Sequence, residues 1–140
     1  NAAMAGPLIL LADDEAHITC VVAQKLRSAG FAVATARDGA EAYEIALKSP
    51  PALVVTDLQM PRLSGLELAV RLRQNASTSL TPVMMLTARG YIVDQATLSV
   101  TNIRHLMAKP FSARDLLKRT IELIGEPASD SAAGDQAEAA

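Results

Sequence analysis

The chain has 140 residues, enough for one domain with a buried core. Half of the residues are apolar and 20% are charged, as in an ordinary soluble globular protein, and the apolar runs are too short to cross a bilayer. A net charge of −2 gives no reason to expect direct binding to nucleic acid or to a membrane. The single cysteine excludes an intramolecular disulfide, and no secretory signal opens the chain, so we expect a cytoplasmic protein.

Five short apolar runs alternate with helical patterns between residues 7 and 125, which we expect to form the folded domain. The runs cover residues 8–11, 31–34, 52–56, 83–86 and 105–108. Such continuous apolar runs are typical of parallel strands that are covered on both faces. Residues 1–6 are expected to be disordered or a cloning remnant, and residues 126–140 a disordered tail or the stub of a linker.

Helix signals separate these runs in chain order. The first helix carries an apolar stripe, with Gly30 as its C-terminal cap and Cys20 expected in the core; the stripe is Ile18, Val21, Val22 and Leu26. The second and third helices start with capping-box spacings, which are Asp38 with Glu41 and Ser64 with Glu67. The fourth helix, around 91–99, has the weakest pattern. The fifth starts near Ser112 and ends at Gly125, with its apolar face inward.

Five strands alternating with five helices predict an α/β fold with a doubly wound, five-stranded parallel sheet. In such sheets, ligands bind beyond the carboxyl ends of the strands. The residues after the first, third, fourth and fifth strands are therefore the candidate site, and they are Asp13, Asp14 and Glu15; Asp57; Thr87 and Ala88; and Lys109 and Pro110.

Several carboxylates meeting at one edge need a counter-charge, because each disfavours the ionisation of the next. Lys109 can supply one positive charge, and Mg²⁺ suits the remaining oxygens. A carboxylate beside such an ion can attack a phosphoryl group and form an aspartyl phosphate. For any single aspartate the simpler interpretation is a helix cap or a turn residue. Complementary side chains at four strand ends favour the site over that interpretation.

The segments LILLADDE, VVTDLQMPRLSGLEL, MMLTA and AKPF resemble the receiver domains of bacterial response regulators, over about residues 8–124. The resemblance implies a flavodoxin-like strand order 2-1-3-4-5. It also implies a phosphoacceptor switch that receives a phosphoryl group from a sensor histidine kinase or a phosphotransfer protein. Such a switch assists its own phosphorylation and dephosphorylation, and it acts on an output domain or a downstream protein. A homodimer through the face between the fourth and fifth helices is a further expectation.

The resemblance assigns a role to each position of the site. Asp57 matches the phosphoacceptor, and Thr87 and Lys109 match the hydroxyl and the ammonium group that contact the phosphoryl group. The Mg²⁺ ligands would be Asp13, Asp14 and Asp57 with the backbone carbonyl of Gln59. A small residue is expected at Ala88, a cis peptide bond before Pro110, and tuning of the phosphoryl lifetime by the Gln59 and Arg89 side chains.

Two departures from the family pattern lie close to the fifth strand. Leu106 stands where members commonly carry Tyr or Phe, and the usual Gly-Ala before the strand is replaced by residues 100–103. These changes leave the phosphorylation chemistry intact but put the relay of the signal in doubt. They motivate an alternative, a degenerate receiver that binds partners without phosphorylation. A phosphatase with an aspartyl nucleophile is disfavoured, since Gln59 stands where such enzymes need a second aspartate.

Overall fold

A computed structural model describes residues 6–127. Its strands are β1 (Leu8–Ala12), β2 (Ala32–Ala36), β3 (Leu53–Asp57), β4 (Val83–Thr87) and β5 (Ile103–Ala108). Its helices are α1 (Ala16–Ser28), α2 (Gly39–Lys48), α3 (Gly65–Gln74), α4 (Gln95–Ser99) and α5 (Ala113–Ile124). A single 3₁₀ turn (Ala76–Thr78) follows α3. Within residues 6–127, every helix falls short of the length and apolar character that a membrane span requires.

The five strands form one parallel sheet in the order β2-β1-β3-β4-β5. Both the doubly wound fold and the strand order 2-1-3-4-5 are therefore confirmed. The order places β1 and β3 side by side at the centre of the sheet, although a strand and two helices separate them in the chain. β5 begins at Ile103, two residues earlier than predicted, because the exposed Arg104 interrupts its apolar run.

The core consists of two apolar layers, one on each face of the sheet. On one face, α2 and α3 pack against β1, β3 and β4 through Ala46, Leu68, Leu72, Val54 and Met85. On the other face, α1 and α5 cover the same strands through Val22, Leu26, Leu116, Leu11 and Met84. Because β3 and β4 are buried along their whole length, a charged residue enters them only at the strand end, where Asp57 is the last residue of β3. This explains why the polar groups gather at the carboxyl edge.

The helix ends follow the local sequence signals. Asp38, Ser64 and Ser112 each accept a backbone N–H from three residues ahead and so cap α2, α3 and α5. Ser64 and Glu67 form the full predicted capping box. The box predicted at Asp38 is only half formed, because the Glu41 carboxylate accepts the N–H of Arg37 instead. These caps fix where the loops at the sheet edge enter the helices.

The C-terminal end of α1 explains the glycine predicted there. Gly30 has φ 105°, and the N–H groups of Gly30 and Phe31 donate to the carbonyls of Arg27 and Leu26. This pattern is a Schellman motif, which requires a residue that adopts left-handed backbone at low cost.

Two expectations for the helices are wrong. Cys20 and Val21 are exposed, because the buried face of α1 follows Val22, Ala23 and Leu26, and both residues fall beside that stripe. The fourth helix is shorter than the expected 91–99, since α4 covers only Gln95–Ser99 and buries none of its residues. The predictions for residues 1–6 and 126–140 lie outside the described residues, except at residues 6, 126 and 127.

Candidate functional site

The carboxyl ends of β1 and β3 bring three aspartates together. Ala12 pairs with Thr56 in the sheet, so Asp13, one residue further, lies beside Asp57, the last residue of β3. One carboxylate oxygen from each of Asp13, Asp14 and Asp57 lies within 4.8 Å of the other two. Because these residues come from neighbouring strand ends, the sheet itself sets their separation.

Asp13 is the most buried member of the cluster, at 1% exposure. Its Oδ1 accepts the N–H of Glu15 at 2.9 Å, whereas its Oδ2 is buried without a hydrogen-bond partner. The Lys109 Nζ lies 3.4 Å from that oxygen, which is an ion pair but not an aligned hydrogen bond. A buried anionic oxygen that accepts no hydrogen bond destabilises the protein unless it is coordinated. The cluster therefore fits a hard divalent cation, which prefers carboxylate oxygens.

Lys109 reaches into this cluster from the end of β5. Its Nζ lies 3.3 Å from Asp57 Oδ2 and 3.2 Å from Glu15 Oε1, in addition to the Asp13 contact. Its backbone N–H donates to the Thr87 carbonyl at 2.8 Å, which ties the end of β5 to the end of β4. Burial acts to lower the pKa of Lys109, but the charges of Asp13 and Asp57 outweigh it and raise that pKa. Lys109 is therefore a permanent cation in the site.

Crowding of negative charge also affects Asp57 itself. Burial, and then the charge of Asp13, raise the pKa of Asp57 above its ordinary value, and the ammonium group of Lys109 only partly opposes them. Burial and the neighbouring negative charge thus destabilise the ionised carboxylate of Asp57. A bound divalent cation would offset this destabilisation and favour the anionic form that a nucleophile requires.

The loop between β3 and α3 is held close to Asp57 by tight backbone contacts. The N–H of Leu58 donates to the Leu86 carbonyl at 2.9 Å, and the N–H of Gly65 donates to the Leu58 carbonyl at 2.8 Å. A methyl group on Gly65 would lie 2.3 Å from the Asp57 carbonyl oxygen, so only glycine fits there. This loop carries Gln59, whose side chain is exposed at the edge of the site.

The remaining predicted positions lie around the cluster. Thr87 is buried at the end of β4, directly after Leu86, which pairs with Asp57 in the sheet. Ala88 follows it and is exposed, and the Lys109–Pro110 bond is cis. Beside the cluster, a groove of about 780 Å³ has walls that are mainly apolar, formed by residues that include Ile18, Val21, Tyr91 and Phe111.

Comparison with known protein families identifies the family to which this chain belongs. The family model of the response regulator receiver domain matches residues 9–121. This chain belongs to that family. The match covers β1 to α5 and so includes every strand end that contributes to the cluster. The chain is therefore a receiver domain of the two-component response regulators.

Curated relatives of this receiver domain include transcriptional regulators. The chain is 34% identical over 118 residues to the DNA-binding dual master transcriptional regulator RpaA of Synechocystis, covering 84% of this chain and 49% of that protein. It is 32% identical over 116 residues to the transcriptional regulatory protein SrrA of Staphylococcus aureus, covering 83% of this chain and 47% of that protein. The chain thus spans about half the length of the curated relatives it matches.

Solved structures of similar domains agree with the fold. The chemotaxis response regulator CheY4 of Vibrio cholerae superposes with a TM-score of 0.78 at 29% identity, over 84% of this chain and 98% of that one. The receiver domain of the sensor histidine kinase PA1611 of Pseudomonas aeruginosa superposes with a TM-score of 0.76 at 28% identity, over 87% of this chain and 100% of that one. That second structure has a magnesium ion coordinated in its active site cleft.

The departures of this receiver domain lie around β5. Leu106 is half-buried and packs with Leu98 against the layer of α2 and α3. Met107 belongs to the opposite layer, as alternation along a strand requires, so it cannot replace an aromatic residue at position 106. Residues 100–103, which stand where the family commonly has Gly-Ala, are contacted by a side chain of α3, since the Arg73 guanidinium donates to the Thr101 carbonyl at 3.3 Å.

Sequence reasoning missed some of the partners of the charged residues. Arg62, Arg71 and Arg73 are exposed, and Arg62 pairs with Asp38 at 2.9 Å. The sequence gives Glu15 a place after β1 but no role. Among the described side chains, Glu15 is the one that accepts a hydrogen bond of full geometry from Lys109 Nζ. The sequence holds no signal for this contact, because 94 residues separate the two side chains. His17 is exposed at the edge of the groove.

Proposed function

We propose that this receiver domain accepts a phosphoryl group on Asp57 from a phosphohistidine of a sensor histidine kinase or a phosphotransfer protein. The observation that carries the proposal is the grouping of Asp13, Asp14 and Asp57 within 4.8 Å, with the Lys109 ammonium against it. A cap or turn role for these aspartates does not require that convergence. The unpartnered Oδ2 of Asp13 supports a cation-binding role in addition.

Asp13, Asp14 and Asp57, with the backbone carbonyl of Gln59, would hold Mg²⁺ at this edge of the sheet. When bound, the ion supplies charge neutralisation for the phosphoryl oxygens and favours the ionised form of Asp57. Oxygen ligands alone suit a hard cation such as magnesium better than zinc or copper, which favour imidazole and thiolate ligands. The magnesium ion in the related Pseudomonas aeruginosa receiver domain supports the same assignment here.

The chain's own residues would act as follows. A carboxylate oxygen of Asp57 attacks phosphorus, the new bond is an acyl phosphate, and the bond from phosphorus to the imidazole nitrogen of the donor breaks. Lys109 lies 3.3 Å from Asp57 and pairs with an oxygen of the transferred group. Thr87, at the neighbouring strand end, offers its hydroxyl to another oxygen. The domain thus assists its own phosphorylation, and the later hydrolysis, without turning over a substrate.

The phosphoryl group would act as a conformational switch. Its added charge draws the Thr87 hydroxyl inward and biases an existing equilibrium of the segment between β4 and β5. In this chain Leu98 of α4 and Leu106 of β5 both pack against the layer of α2 and α3, so the relay would proceed by a shift of aliphatic packing rather than by a ring movement. An output domain or a downstream protein would read the shift, and a homodimer through the face of α4 and α5 is part of the proposal.

A cytoplasmic location is part of the same proposal. Cys20 is exposed as a free thiol, which fits a reducing compartment. The alternative of a degenerate receiver, which binds partners without phosphorylation, rests on Leu106. It gains no support from the site, because the carboxylates, the lysine and the buried threonine are all in place.

Labelling with a small-molecule phosphodonor tests the proposal. Acetyl phosphate with Mg²⁺ should add one phosphoryl group to the protein, detected by intact mass, and Asp57→Asn should abolish the addition. Asp115→Asn is the matched control, since Asp115 is an exposed aspartate in the first turn of α5 and should label as the unmodified protein does. Unchanged labelling of Asp57→Asn would exclude Asp57 as the acceptor.

A further inference from the structure

Lys109 is shared among three carboxylates, and one of them has no role in the proposed chemistry. Glu15 Oε1 lies 3.2 Å from Lys109 Nζ, against 3.3 Å for Asp57 and 3.4 Å for Asp13. The aspartates are buried, whereas the Glu15 side chain is 52% exposed at the mouth of the site. Lys109 is therefore held from the solvent side as well as from within.

The position of Glu15 is fixed by its backbone. Its N–H donates to Asp13 Oδ1 at 2.9 Å, and its carbonyl accepts the N–H groups of Ile18 and Thr19 as α1 begins. Glu15 thus starts the helix from a point that is tied to the most buried aspartate of the cluster. Because the backbone of Glu15 is fixed in this way, only the rotamers of its own side chain have to be ordered for the carboxylate to reach Lys109.

We propose that Glu15 is a positioning residue that holds Lys109 at the mouth of the site in the unphosphorylated protein. This inference rests on the proposed function, because Lys109 pairs with the phosphoryl group in that function. When a phosphodonor binds, the ammonium group exchanges the Glu15 carboxylate for a phosphoryl oxygen. Glu15 and the donor therefore compete for the same cation, and Glu15 weakens the apparent binding of the donor.

The competition predicts a specific kinetic signature. Removal of the Glu15 carboxylate frees Lys109 for the donor in the ground state and in the transition state alike, so the KM for acetyl phosphate should fall while the maximal rate stays unchanged. An exposed ion pair of this kind corresponds to about a twofold to fivefold effect. Glu15→Gln should therefore lower KM by about twofold to fivefold.

Two further variants separate the contact from the charge. Glu15→Asp keeps the negative charge but shortens the side chain by one methylene, so it should lower KM in the same direction. Glu122→Gln is the matched control, because Glu122 is 48% exposed and is also paired with a cation, Arg119 at 2.7 Å. It removes the same charge far from the site in the chain and should leave KM unchanged.

A measurement without phosphorylation tests the contact itself. A double-mutant cycle of Glu15→Gln and Lys109→Met, followed by urea unfolding in EDTA, should show coupling of about twofold to fivefold in the unfolding equilibrium constant. A cycle of Glu122→Gln with Lys109→Met should show none.

The outcomes decide between the inference and the function on which it rests. Labelling of the unmodified protein with an unchanged KM in Glu15→Gln, or with no coupling in the cycle, overturns the inference and leaves the proposed function standing. A lower KM in Glu15→Gln but not in Glu15→Asp also overturns it, since charge without contact would then explain the effect. Absence of any labelling of Asp57 contradicts the proposed function, and the inference fails with it.

Discussion

The carboxyl edge of β1 and β3 and the segment between β4 and β5 are built in opposite ways. At the edge, β3 is buried along its whole length and ends in Asp57, and β1 is buried after its first residue and ends beside Asp13. Tight backbone contacts hold the loop that follows β3. In the segment, α4 has five residues, buries none of them, and is flanked by Ile92 and Val100, whose side chains are 82% and 51% exposed.

The difference shows where rigidity and freedom are placed in this domain. A site that must align carboxylates, a cation and a phosphoryl group gains from the stiffest part of the sheet. An element that must shift between two states belongs to the least buried part of the fold, because local opening there costs little. The domain thus combines a tightly packed carboxylate cluster with a weakly packed segment between β4 and β5, which is the segment proposed to shift on phosphorylation.

The largest expected effect concerns the metal site. Asp13→Asn removes the negative charge of the most buried carboxylate, so the affinity for Mg²⁺ should fall about tenfold or more. Isothermal titration with MgCl₂ measures this. Asp115→Asn, which makes the same change on an exposed helix, should bind Mg²⁺ as the unmodified domain does. Equal affinity in both variants would show that Asp13 is not part of a cation site.

The stiffness of the edge can be tested at Gly65. A methyl group there would meet the Asp57 carbonyl oxygen and the Met85 sulfur, so Gly65→Ala should destabilise the domain by about 3 kcal/mol. Gly90→Ala is the control from the segment between β4 and β5, where φ is 82° and no atom lies within 4 Å of the new methyl group. It should cost about 1 kcal/mol, from backbone strain only. Urea unfolding compares the two, and equal losses would contradict the contrast.

Leu106 tests whether phosphorylation at the carboxylate cluster is independent of the packing around β5. Leu106→Ala removes a half-buried side chain from the layer of α2 and α3, so it should cost about 1 to 2 kcal/mol of stability. Labelling by acetyl phosphate should stay at the level of the unmodified protein, because the cluster makes no use of that side chain. A loss of labelling in a folded Leu106→Ala protein would show that the two regions are not independent.

His105 gives the smallest effect, and its direction is fixed by burial. Burial, and then the charge of Arg119, lower the pKa of His105 below its ordinary value of 6.5, against the charge of Glu122. The unfolded chain therefore binds a proton more readily than the folded domain, and stability falls as the pH drops below about 6.5. His105→Gln should flatten this part of the stability profile, measured by urea midpoints across that pH range. A profile that stays as steep would place the cause elsewhere.

Much of this architecture could be predicted from the sequence, for a physical reason. Buried parallel strands need apolar runs, and charged residues are excluded from their buried interiors. The ends of the runs therefore located Asp13, Asp57, Thr87 and Lys109 at one edge. The neighbour relation of β1 and β3 was implied only by family resemblance, since it depends on long-range packing.

The errors also have physical causes. Cys20 and Val21 follow the apolar stripe of α1 closely enough to look buried, but the helix faces the sheet with Val22 and Leu26. The extent of α4 could not be read because nothing in it is buried, and so no apolar period marks its ends. The contact of Glu15 with Lys109 depends on side-chain positions at the ends of two distant elements, which no local pattern encodes.

The most direct test is to locate the phosphoryl group in the chain. The protein is treated with acetyl phosphate and Mg²⁺, the acyl phosphate is reduced with borohydride, and peptide mass spectrometry identifies the residue that has become homoserine. We expect this residue to be Asp57, and we expect no homoserine when EDTA replaces Mg²⁺. Homoserine at Asp13 or Asp14, or at Asp57 without Mg²⁺, would contradict this expectation.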